Sequence, residues 1–430
     1  MRQLIRGRLL SFHADPFTTA DNHRYIPDGA LIVADGRIEA MGEYADLRAE
    51  GLPEIDHRPH LILPGFVDPH IHFPQLQVVA SYADQLLDWL NDHTFPEESR
   101  YADSAHAQVM AGAFLDELLR HGTTTACVFG SAHAASVDAL MQQADARGMA
   151  LAAGKVMMDR NAPPGVLDTA QASYDDSAAL IARWHGRGRL RYAITPRFAI
   201  TSTPAQLQAA GALVAENPDC LMQTHLSENH DEIALTMQLY PEASDYLDVY
   251  DRFGLLGPNS LFGHAIHLSD REIARMAETG SRAVFCPTSN LFLGSGLYDA
   301  RRLRDAGVVA GIATDIGGGT SWSMLKTADE GFKVLQMQRQ RMHPLAAAHW
   351  ITRGNAQAMG MADVGTLDPG TAADLVVLDS SATPAMRLRM ARVQDGRDPL
   401  ADELFLLQTL GDDRAVVQTY VAGQAVRPQE

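Results

Sequence analysis

Five potential metal ligands stand at the ends of short apolar segments of the chain. His70 and His72 are separated by one residue, so both imidazoles point to the same side of an extended strand. His225 ends a later apolar segment, His264 lies in the next one, and Asp315 follows the last. Three imidazoles and a carboxylate around an open position form a suitable shell for zinc or ferrous iron. A divalent metal held there lowers the pKa of its water towards ~7, which makes a nucleophile available for hydrolysis.

Other candidate residues have simpler explanations. A single histidine at a strand end is usually a structural polar residue, so only the combination of ligands at separate strand ends favours a metal site. Cys286 has no evident partner base and is interpreted as buried packing. Gly317-Gly318-Gly319 is not followed by the Gly-Lys-Ser/Thr of a phosphate loop, so we interpret it as a tight turn beside the metal. The histidines interpreted as structural or solvated are His13, His23, His57, His60, His185 and His343.

These ligands need a scaffold that brings the ends of several strands together. Short apolar strands alternate with amphipathic helices through the middle of the chain, which favours parallel βαβ units. Eight repeats predict an α/β fold, a (β/α)8 TIM-type barrel, whose active site lies at the carboxyl ends of its strands. A doubly wound open sheet is the competing architecture. The predicted strands are 61–72, 123–129, 151–158, 190–198, 220–227, 260–267, 283–288 and 308–314, and examples of predicted helices are 105–120, 204–216, 270–278 and 323–341.

Both ends of the chain have β character. Asp35-Gly36 separates two short apolar runs and predicts a hairpin, because this dipeptide tolerates a positive φ at both central positions. Residues 374–378 and 416–421 are predicted as further strands. Two similar termini predict a small β-sandwich domain built from residues 1–63 and 366–430. The barrel, residues 64–365, is then inserted between them.

The composition is that of a soluble globular protein and excludes several classes of function. The 430 residues are 46% apolar and 20% charged, and the formal net charge of −18 argues against nucleic acid or an anionic membrane as a partner. No segment approaches the ~20 apolar residues of a membrane span, and the start lacks the apolar stretch of a signal peptide. Cys127, Cys220 and Cys286 contain no Cys-x-x-Cys pair, so neither a disulfide framework nor a thiolate zinc site is indicated. The expected location is the reducing cytoplasm.

Several motifs resemble those of a known family. The segment Pro64-Gly65-Phe66-Val67-Asp68-Pro69-His70-Ile71-His72 is similar to the first-strand signature of the amidohydrolase superfamily. The His-x-His-x-x-Gln element that ends at Gln75 and the Pro-Arg-Phe element at 196–198 resemble its guanine deaminase branch more specifically. Further similar segments are 88–90, 94–97, 224–229, 286–291, 311–315 and 406–414, so the resemblance spans nearly the whole chain.

The resemblance implies a role for each matching position. The implied metal ligands are His70, His72, His225 and Asp315; the implied proton shuttle is Glu228; the implied partner of the attacking oxygen is His264; and the implied purine-binding residues are Gln75, Arg197 and Phe198. One departure is Phe73-Pro74, which stands where the family usually has a small residue. This change narrows the expected pocket but leaves the ligands and Gln75 intact.

The implied reaction is hydrolysis of guanine at C2, which gives xanthine and ammonia. Glu228 can act as general acid and base if burial raises its pKa, and Asp315 can accept the proton of the attacking water. His264 can stabilise charge on the attacking oxygen. These three residues are therefore the predicted catalytic groups.

The predicted recognition residues suit an oxo-purine. The guanidinium of Arg197 offers a fork of donors to a carbonyl oxygen such as guanine O6. Gln75 offers both a donor and an acceptor to a ring edge. Phe198 or Trp89 is a candidate for stacking on the purine face, although Trp89 also suits core or lid packing.

Several alternatives stay open at this stage. A sibling enzyme with the same metal site would act on 8-oxoguanine, a pterin, cytosine or a triazine, and a catalytically inactive barrel would serve as a scaffold. A nucleic-acid-editing deaminase is disfavoured, because its zinc site also needs a Pro-Cys-x-x-Cys motif and the chain has none. One zinc ion is the expected cofactor, with iron as the alternative, and a homodimer is expected from the family. Whether residues 84–96 close over the site as a lid is left open.

Overall fold

The structure of the chain, a computed structural model, describes residues 2–82, 86–393 and 395–426. The strands are β1 (Arg2–Phe12), β2 (His23–Ala34), β3 (Arg37–Glu43), β4 (Glu54–Pro64), β5 (Phe66–His72), β6 (Thr123–Phe129), β7 (Ala150–Gly154), β8 (Val156–Met157), β9 (Leu190–Pro196), β10 (Leu221–Leu226), β11 (Ser260–His264), β12 (Arg282–Phe285), β13 (Ala310–Ile312), β14 (Leu375–Leu378), β15 (Val416–Val421) and β16 (Gln424–Ala425).

The α-helices occupy the connections between most of these strands. They are α1 (Tyr44–Leu47), α2 (Leu86–Trp89), α3 (Phe95–Ser99), α4 (Ser104–Arg120), α5 (Ala134–Arg147), α6 (Ala170–Trp184), α7 (Pro204–Glu216), α8 (His230–Leu239), α9 (Tyr246–Asp251), α10 (Asp270–Thr279), α11 (Pro287–Phe292), α12 (Ala300–Asp305), α13 (Met324–Met337), α14 (Pro344–His349), α15 (Asn355–Ala358), α16 (Pro384–Val393) and α17 (Pro399–Leu410).

Eight parallel strands form the barrel that the sequence predicts. Their order is β5-β6-β7-β9-β10-β11-β12-β13, with the short β8 paired to β9. The two ends of this sheet meet through backbone hydrogen bonds, because Asp315 N donates to His70 O (3.0 Å) and His72 N donates to Ile316 O (2.9 Å). The same two bonds bring the first and the last predicted ligand segments side by side. The predicted fold class is confirmed.

Local signals in the sequence explain where the longer helices begin. The side chains of Asp103 and Thr203 accept a backbone N–H at the starts of α4 and α7, as helix-capping residues do. Ser269 and Glu272 form a reciprocal capping box at the start of α10. Each helix turns an apolar face towards the strands, so the chain reverses direction and returns to the same end of the barrel.

The predicted strand 61–72 is in fact two strands that belong to different sheets. β4 ends at Pro64 and β5 begins at Phe66, and the intervening Gly65 N donates to Asp374 O (2.9 Å). A Cβ at Gly65 would overlap the Thr124 side chain, so the chain passes this point only with glycine. The continuous apolar run hid this boundary, because the last four residues of β4 and the whole of β5 are buried on both faces.

The two termini combine in a second sheet of seven strands, with the order β16-β15-β14-β4-β1-β2-β3. β1 and β4 are parallel, and the other neighbouring pairs are antiparallel. The predicted hairpin joins β2 to β3, with positive φ at Asp35 (50°) and Gly36 (80°). Register shifts in β1 bend the sheet, and one face buries an apolar core of its own that includes Ile5 and Val377.

The segment 380–411 departs from the β character expected for the C-terminal part. It contains the helices α16 and α17, and α17 packs against α13 and α14 on the outside of the barrel. The apolar residues of α17 had no alternation that would distinguish a buried helix from a strand. Within the described part of the chain, no helix is long and apolar enough to cross a membrane.

Candidate active site

The predicted ligands converge at the carboxyl ends of the barrel strands. Nε2 of His72 lies 3.2 Å from Nε2 of His225, and Asp315 Oδ1 lies 3.4 Å from His70 Nε2 and 3.3 Å from His72 Nε2. His264 Nε2 lies 3.8 Å from Asp315 Oδ2. All five side chains are buried. The structure therefore brings together every residue that the sequence analysis selected as a ligand. These residues are far apart in the chain, from the first barrel strand to the segment after the last one.

The backbone at these strand ends is held in unusual conformations. His264 and Asp315 have positive φ values of 67° and 52°, which are rare for residues other than glycine and frequent at functional sites. Gly263 pairs with His225 across β10 and β11, and a Cβ at Gly263 would overlap the His70 imidazole. Glycine at 263 therefore gives His70 the room it needs to face the other ligands.

The ligand set fits a divalent metal ion. The possible ligand atoms of His70, His72 and His225 all lie within 4.8 Å of one another, and His70 Nε2 is buried without a hydrogen-bond partner in the described chain. Donor atoms held ~2.1 Å from one ion at tetrahedral angles lie roughly 3.4 Å apart, which is close to the distances observed here. Cys286 lies in the same cluster, but burial raises the pKa of its thiol well above the ordinary value. A protonated thiol is a poor ligand, so Cys286 is best described as packing.

The imidazoles of His72, His225 and His264 are kept neutral, which is the form that binds metals. Burial, together with the neighbouring imidazoles of His70, His72 and His264, holds the pKa of His225 well below its ordinary value. His225 Nδ1 lies 2.7 Å from Arg197 O, so Nδ1 carries the hydrogen and Nε2 presents its lone pair to the cluster. Burial also lowers the pKa of His264 to about 3.

Asp315 is held in the opposite charge state from a typical buried acid. Burial alone acts to raise its pKa, but the adjacent imidazoles of His70 and His72, 3.4 and 3.3 Å away, outweigh that effect and hold the pKa well below the usual range. Asp315 is therefore an ionised carboxylate between two imidazoles. An ionised carboxylate can serve as a ligand and can also accept a proton.

Glu228 lies just beyond β10, next to the ligands. Its carboxyl group is buried, with Oε2 3.4 Å from His264 Nε2 and Oε1 accepting a hydrogen bond from Ser295 Oγ (3.1 Å). Burial is the main cause that raises its pKa well above the ordinary value, and the nearby carboxylates of Glu232 and Asp315 add to it. Glu232 accepts the backbone N–H of Glu228 (2.8 Å) and so fixes the start of α8. This arrangement suits a general acid and base.

A cavity opens above the ligands, lined by both apolar and polar side chains as small-molecule sites are. Apart from His70, which lies beneath it, every residue predicted for the site lines this cavity: His72, Gln75, Trp89, Arg197, Phe198, His225, Glu228, His264 and Asp315. The Phe198 ring lies edge-on to His225, with 6.1 Å between ring centroids. The Trp89 indole N–H and the Ser289 hydroxyl also line the cavity and have no hydrogen-bond partner among the described residues. Such orphaned groups mark places where a polar ligand can bind.

The segment considered as a lid lies over this cavity. Residues 84 and 85 are outside the described residues, and the part from Leu86 onward forms α2, a π-helical turn and α3. Leu86, Trp89 and Leu90 contribute an apolar wall.

Glu98 is a buried residue of this site that the sequence analysis missed. It lies on α3, is fully buried, and accepts hydrogen bonds from Gln75 Nε2 (2.9 Å) and Arg197 Nη1 (2.6 Å). A weak signal was present, since Phe95 and Glu98 are three residues apart and share one face of a short helix. Ser295 was missed as well, because a serine in a loop has no pattern that separates it from an ordinary turn residue.

Comparison with known proteins identifies the family. The family model described as the amidohydrolase family matches residues 61–426. The chain therefore belongs to the amidohydrolase family. Within this family its similarity is to guanine deaminases, and the resemblance found in the motifs is confirmed.

These relatives match over the full length of the chain. The guanine deaminase of Escherichia coli K12 is 48% identical over 417 residues, which cover 96% of this chain and 94% of that enzyme. A probable guanine deaminase of Deinococcus radiodurans is 40% identical and covers 100% and 99%. The solved E. coli guanine deaminase superposes with a TM-score of 0.96 at 47% identity, covering 99% of both chains. The guanine deaminase of C. acetobutylicum with bound guanine in the active site has a TM-score of 0.90 at 28% identity, covering 99% of this chain and 100% of that one.

Proposed function

We propose that the protein catalyses the hydrolytic deamination of guanine to xanthine and ammonia, a step of purine catabolism. The observation that carries this proposal is one cavity that unites a metal-ligand cluster, a buried glutamic acid and two polar recognition residues. The full-length similarity to guanine deaminases of two bacteria supports guanine as the substrate. An inactive scaffold is disfavoured, because all the ligands and Glu228 are in place.

We assign the metal to His70, His72, His225 and Asp315, and we propose zinc. Neutral imidazoles and one carboxylate are the donor set that catalytic zinc sites use. A bound divalent ion supplies Lewis acidity and lowers the pKa of a water molecule to ~7. The chain's own residues then determine where each proton goes.

The reaction forms a bond between water oxygen and C2 of guanine, and it breaks the bond between C2 and the exocyclic nitrogen. Asp315 accepts the first proton of the attacking water, because its carboxylate is ionised beside the cluster. Glu228, whose carboxyl group lies 3.4 Å from His264 Nε2, delivers its proton to the ring, takes up a second proton from the hydroxyl newly bound to C2 and passes it to the departing amine. The proton held by Asp315 then returns to Glu228, so that both carboxyl groups end in their starting states. His264 donates through Nε2 to the attacking oxygen and stabilises its charge.

The recognition residues hold the base above this centre. Arg197 donates to the carbonyl oxygen of the purine, and Gln75 binds the neighbouring ring edge. Phe198 or Trp89 contacts the purine face. The buried position of these side chains in the cavity supports their assignment.

We further propose the organisation in which this site works. The small β domain comprises residues 1–63 and 366–430, and the barrel comprises 64–365. A homodimer is expected from the prevalence of twofold symmetric assemblies. A cytoplasmic location agrees with three free cysteines, all of them buried.

The first test is ammonia release from guanine by the zinc-loaded protein, with adenine, cytosine and 8-oxoguanine assayed in parallel. We expect turnover of guanine that is lost after chelation and restored by added zinc. Elemental analysis should find about one metal ion per chain, as expected for a single catalytic site.

Matched variants separate the metal site from substrate recognition. Gln75→Ala and Arg197→Ala should each abolish guanine turnover while the metal content stays unchanged. Turnover of another base in place of guanine would refute the assigned substrate and leave the metal site standing. If the metal-loaded protein releases ammonia from none of the four bases, the proposed activity itself is refuted.

A further inference from the structure

Glu98 connects the two side chains that face the substrate end of the cavity. Its carboxylate is fully buried, and its two oxygens have different partners: Oε1 accepts from Gln75 Nε2 (2.9 Å) and Oε2 accepts from Arg197 Nη1 (2.6 Å). A buried carboxylate is costly unless it is paired and hydrogen-bonded. The pairing with Arg197 meets that requirement and fixes the guanidinium, which also lies 5.2 Å from the centre of the Phe95 ring.

The chemistry of a carboxylate determines which way the Gln75 amide points. An ionised carboxylate can only accept hydrogen bonds, so the amide must turn its NH₂ group towards Glu98. The amide oxygen then lies on the other side, next to Gly317 in the loop after Asp315, where a Cβ would come within 2.6 Å of Gln75 Oε1. Gln75 therefore presents an acceptor to the cavity, beside the donor that Arg197 presents.

We propose that Glu98 is a positioning residue that sets this acceptor–donor order and thereby selects the base by its edge. A lactam edge, in which a ring N–H stands next to a carbonyl, matches this order: the N–H donates to Gln75 and the carbonyl accepts from Arg197. An amidine edge, in which a bare ring nitrogen stands next to an amino group, has the reverse order. Its ring nitrogen would face the amide oxygen of Gln75, and because both atoms are acceptors no hydrogen bond can form between them. The inference rests on the proposed function, because it concerns how the same cavity tells 6-oxopurines from 6-aminopurines.

The decisive variant is Glu98→Gln, which keeps the shape of the side chain and changes its polarity. Since Arg197 can only donate, the new amide must turn its oxygen to Arg197 and its NH₂ group to Gln75. Gln75 must then reverse, and its own NH₂ group faces the cavity. The substrates compared are guanine and 2,6-diaminopurine, which carry the same 2-amino leaving group but opposite edges.

We expect E98Q to lower kcat/KM for guanine by roughly 10- to 100-fold, mainly through KM, because a buried polar mismatch replaces a hydrogen bond. The value for 2,6-diaminopurine should stay or rise, so the preference for guanine should shrink by at least that factor. Glu98→Asp keeps an acceptor-only group and should preserve the preference even if both values of kcat/KM fall. A preference that is unchanged in E98Q, or lost equally in E98D, would overturn the proposal and leave Glu98 a purely structural residue.

The neighbouring Glu97→Gln is the matched control. Glu97 stands on the same helix but bonds Arg100 (2.6 Å) and does not line the cavity, so the preference should not change. If E98Q does not fold, inhibition of the unaltered protein measures the same polarity: hypoxanthine has the lactam edge and adenine the amidine edge. Adenine binding as tightly as hypoxanthine would overturn the acceptor–donor order. Failure of the unaltered protein to turn over guanine would instead count against the proposed function, so the two results are distinguishable.

Discussion

Three buried carboxyl groups around one cavity have different tasks because their neighbours differ. Asp315 stands between two histidines and is ionised. Glu98 is paired with Arg197. Glu228 is held by the Ser295 hydroxyl, and burial raises its pKa, so it can carry a proton at neutral pH. The local partners of each group, rather than its residue type, separate ligand, positioning group and acid.

The role of Glu228 can be tested by Glu228→Gln, which removes the titratable proton and keeps the shape. We expect kcat to fall by about 10²- to 10⁴-fold, the usual contribution of a general acid and base. Metal content should stay the same, because Glu228 is not among the assigned ligands. The measurement is steady-state ammonia release with elemental analysis of the same sample.

Glu242→Gln is a suitable control, since that side chain is exposed in the turn after α8. It should leave kcat unchanged. A Glu228→Gln variant that keeps its full kcat would remove the proton shuttle from the mechanism.

The ligands could be predicted at the residue scale, but their supporting residues could not. The spacing of His70 and His72 predicts that they are metal ligands. The positions of His225 and Asp315 at strand ends predict the same role for these two residues. The partners of Glu98 are 23 and 99 residues away in the chain, so no local pattern reports the contact. Ser295 reaches Glu228 across 67 residues, for the same reason.

At the scale of elements, the site depends on how closely neighbouring strand ends approach. β10 and β11 place His225 opposite Gly263, and the missing side chain at Gly263 leaves room for the His70 ring. The positive φ of His264 follows directly after it. The ends of β10 and β11 therefore hold the ligand side chains in fixed positions relative to one another.

Gly263→Ala tests whether the space at this glycine is needed to place His70 for metal binding. The added methyl group would overlap the His70 imidazole, so we expect roughly 10- to 100-fold weaker metal binding, the size of effect seen when the support of a ligand is lost. Competition with a chelator measures the affinity. Gly257→Ala, in the loop before β11, meets no atom within 4 Å and should bind metal normally. Equal affinities in the two variants would contradict the role assigned to Gly263.

The bounds of strands and helices were predictable where one stretch of sequence pattern forms a single element. β6 and α7 coincide with the predicted segments 123–129 and 204–216. The boundary between β4 and β5 was not predictable, because one apolar run serves two sheets. α16 and α17 were not foreseen either, since α17 packs on the barrel helices α13 and α14, and α16 packs on α17, rather than on the terminal sheet.

At the scale of the whole molecule, the barrel and the terminal sheet share buried contacts. Arg189, just before β9, donates through Nη1 to Asp374 Oδ1 (2.9 Å), and Ala422 N donates to the same oxygen (2.8 Å). The Asp374 side chain is only 1% exposed. This contact ties the amino-terminal end of the barrel to the last strands of the chain.

Arg189→Met should destabilise the protein without changing its kcat. Removal of one partner leaves a buried carboxylate unpaired, which costs about 3–5 kcal/mol. Thermal unfolding should show a clearly lower Tm. Arg2→Met breaks the half-exposed pair with Glu39 and should leave the Tm nearly unchanged, because exposed ion pairs add little to stability. Similar Tm values for the two variants would show that Asp374 is stabilised without Arg189.

The terminal sheet also has a consequence for synthesis on the ribosome. β4 is made early, but its neighbour β14 follows only after roughly 300 further residues, which takes about 15 to 60 s at 5–20 residues per second. During that time one edge of β4 is an open hydrogen-bonding edge on a nascent chain. Such edges recruit other strands, so this interval is when the chain depends most on chaperones. A translational pause or a truncation before residue 375 would therefore produce an aggregating product rather than a partly active barrel.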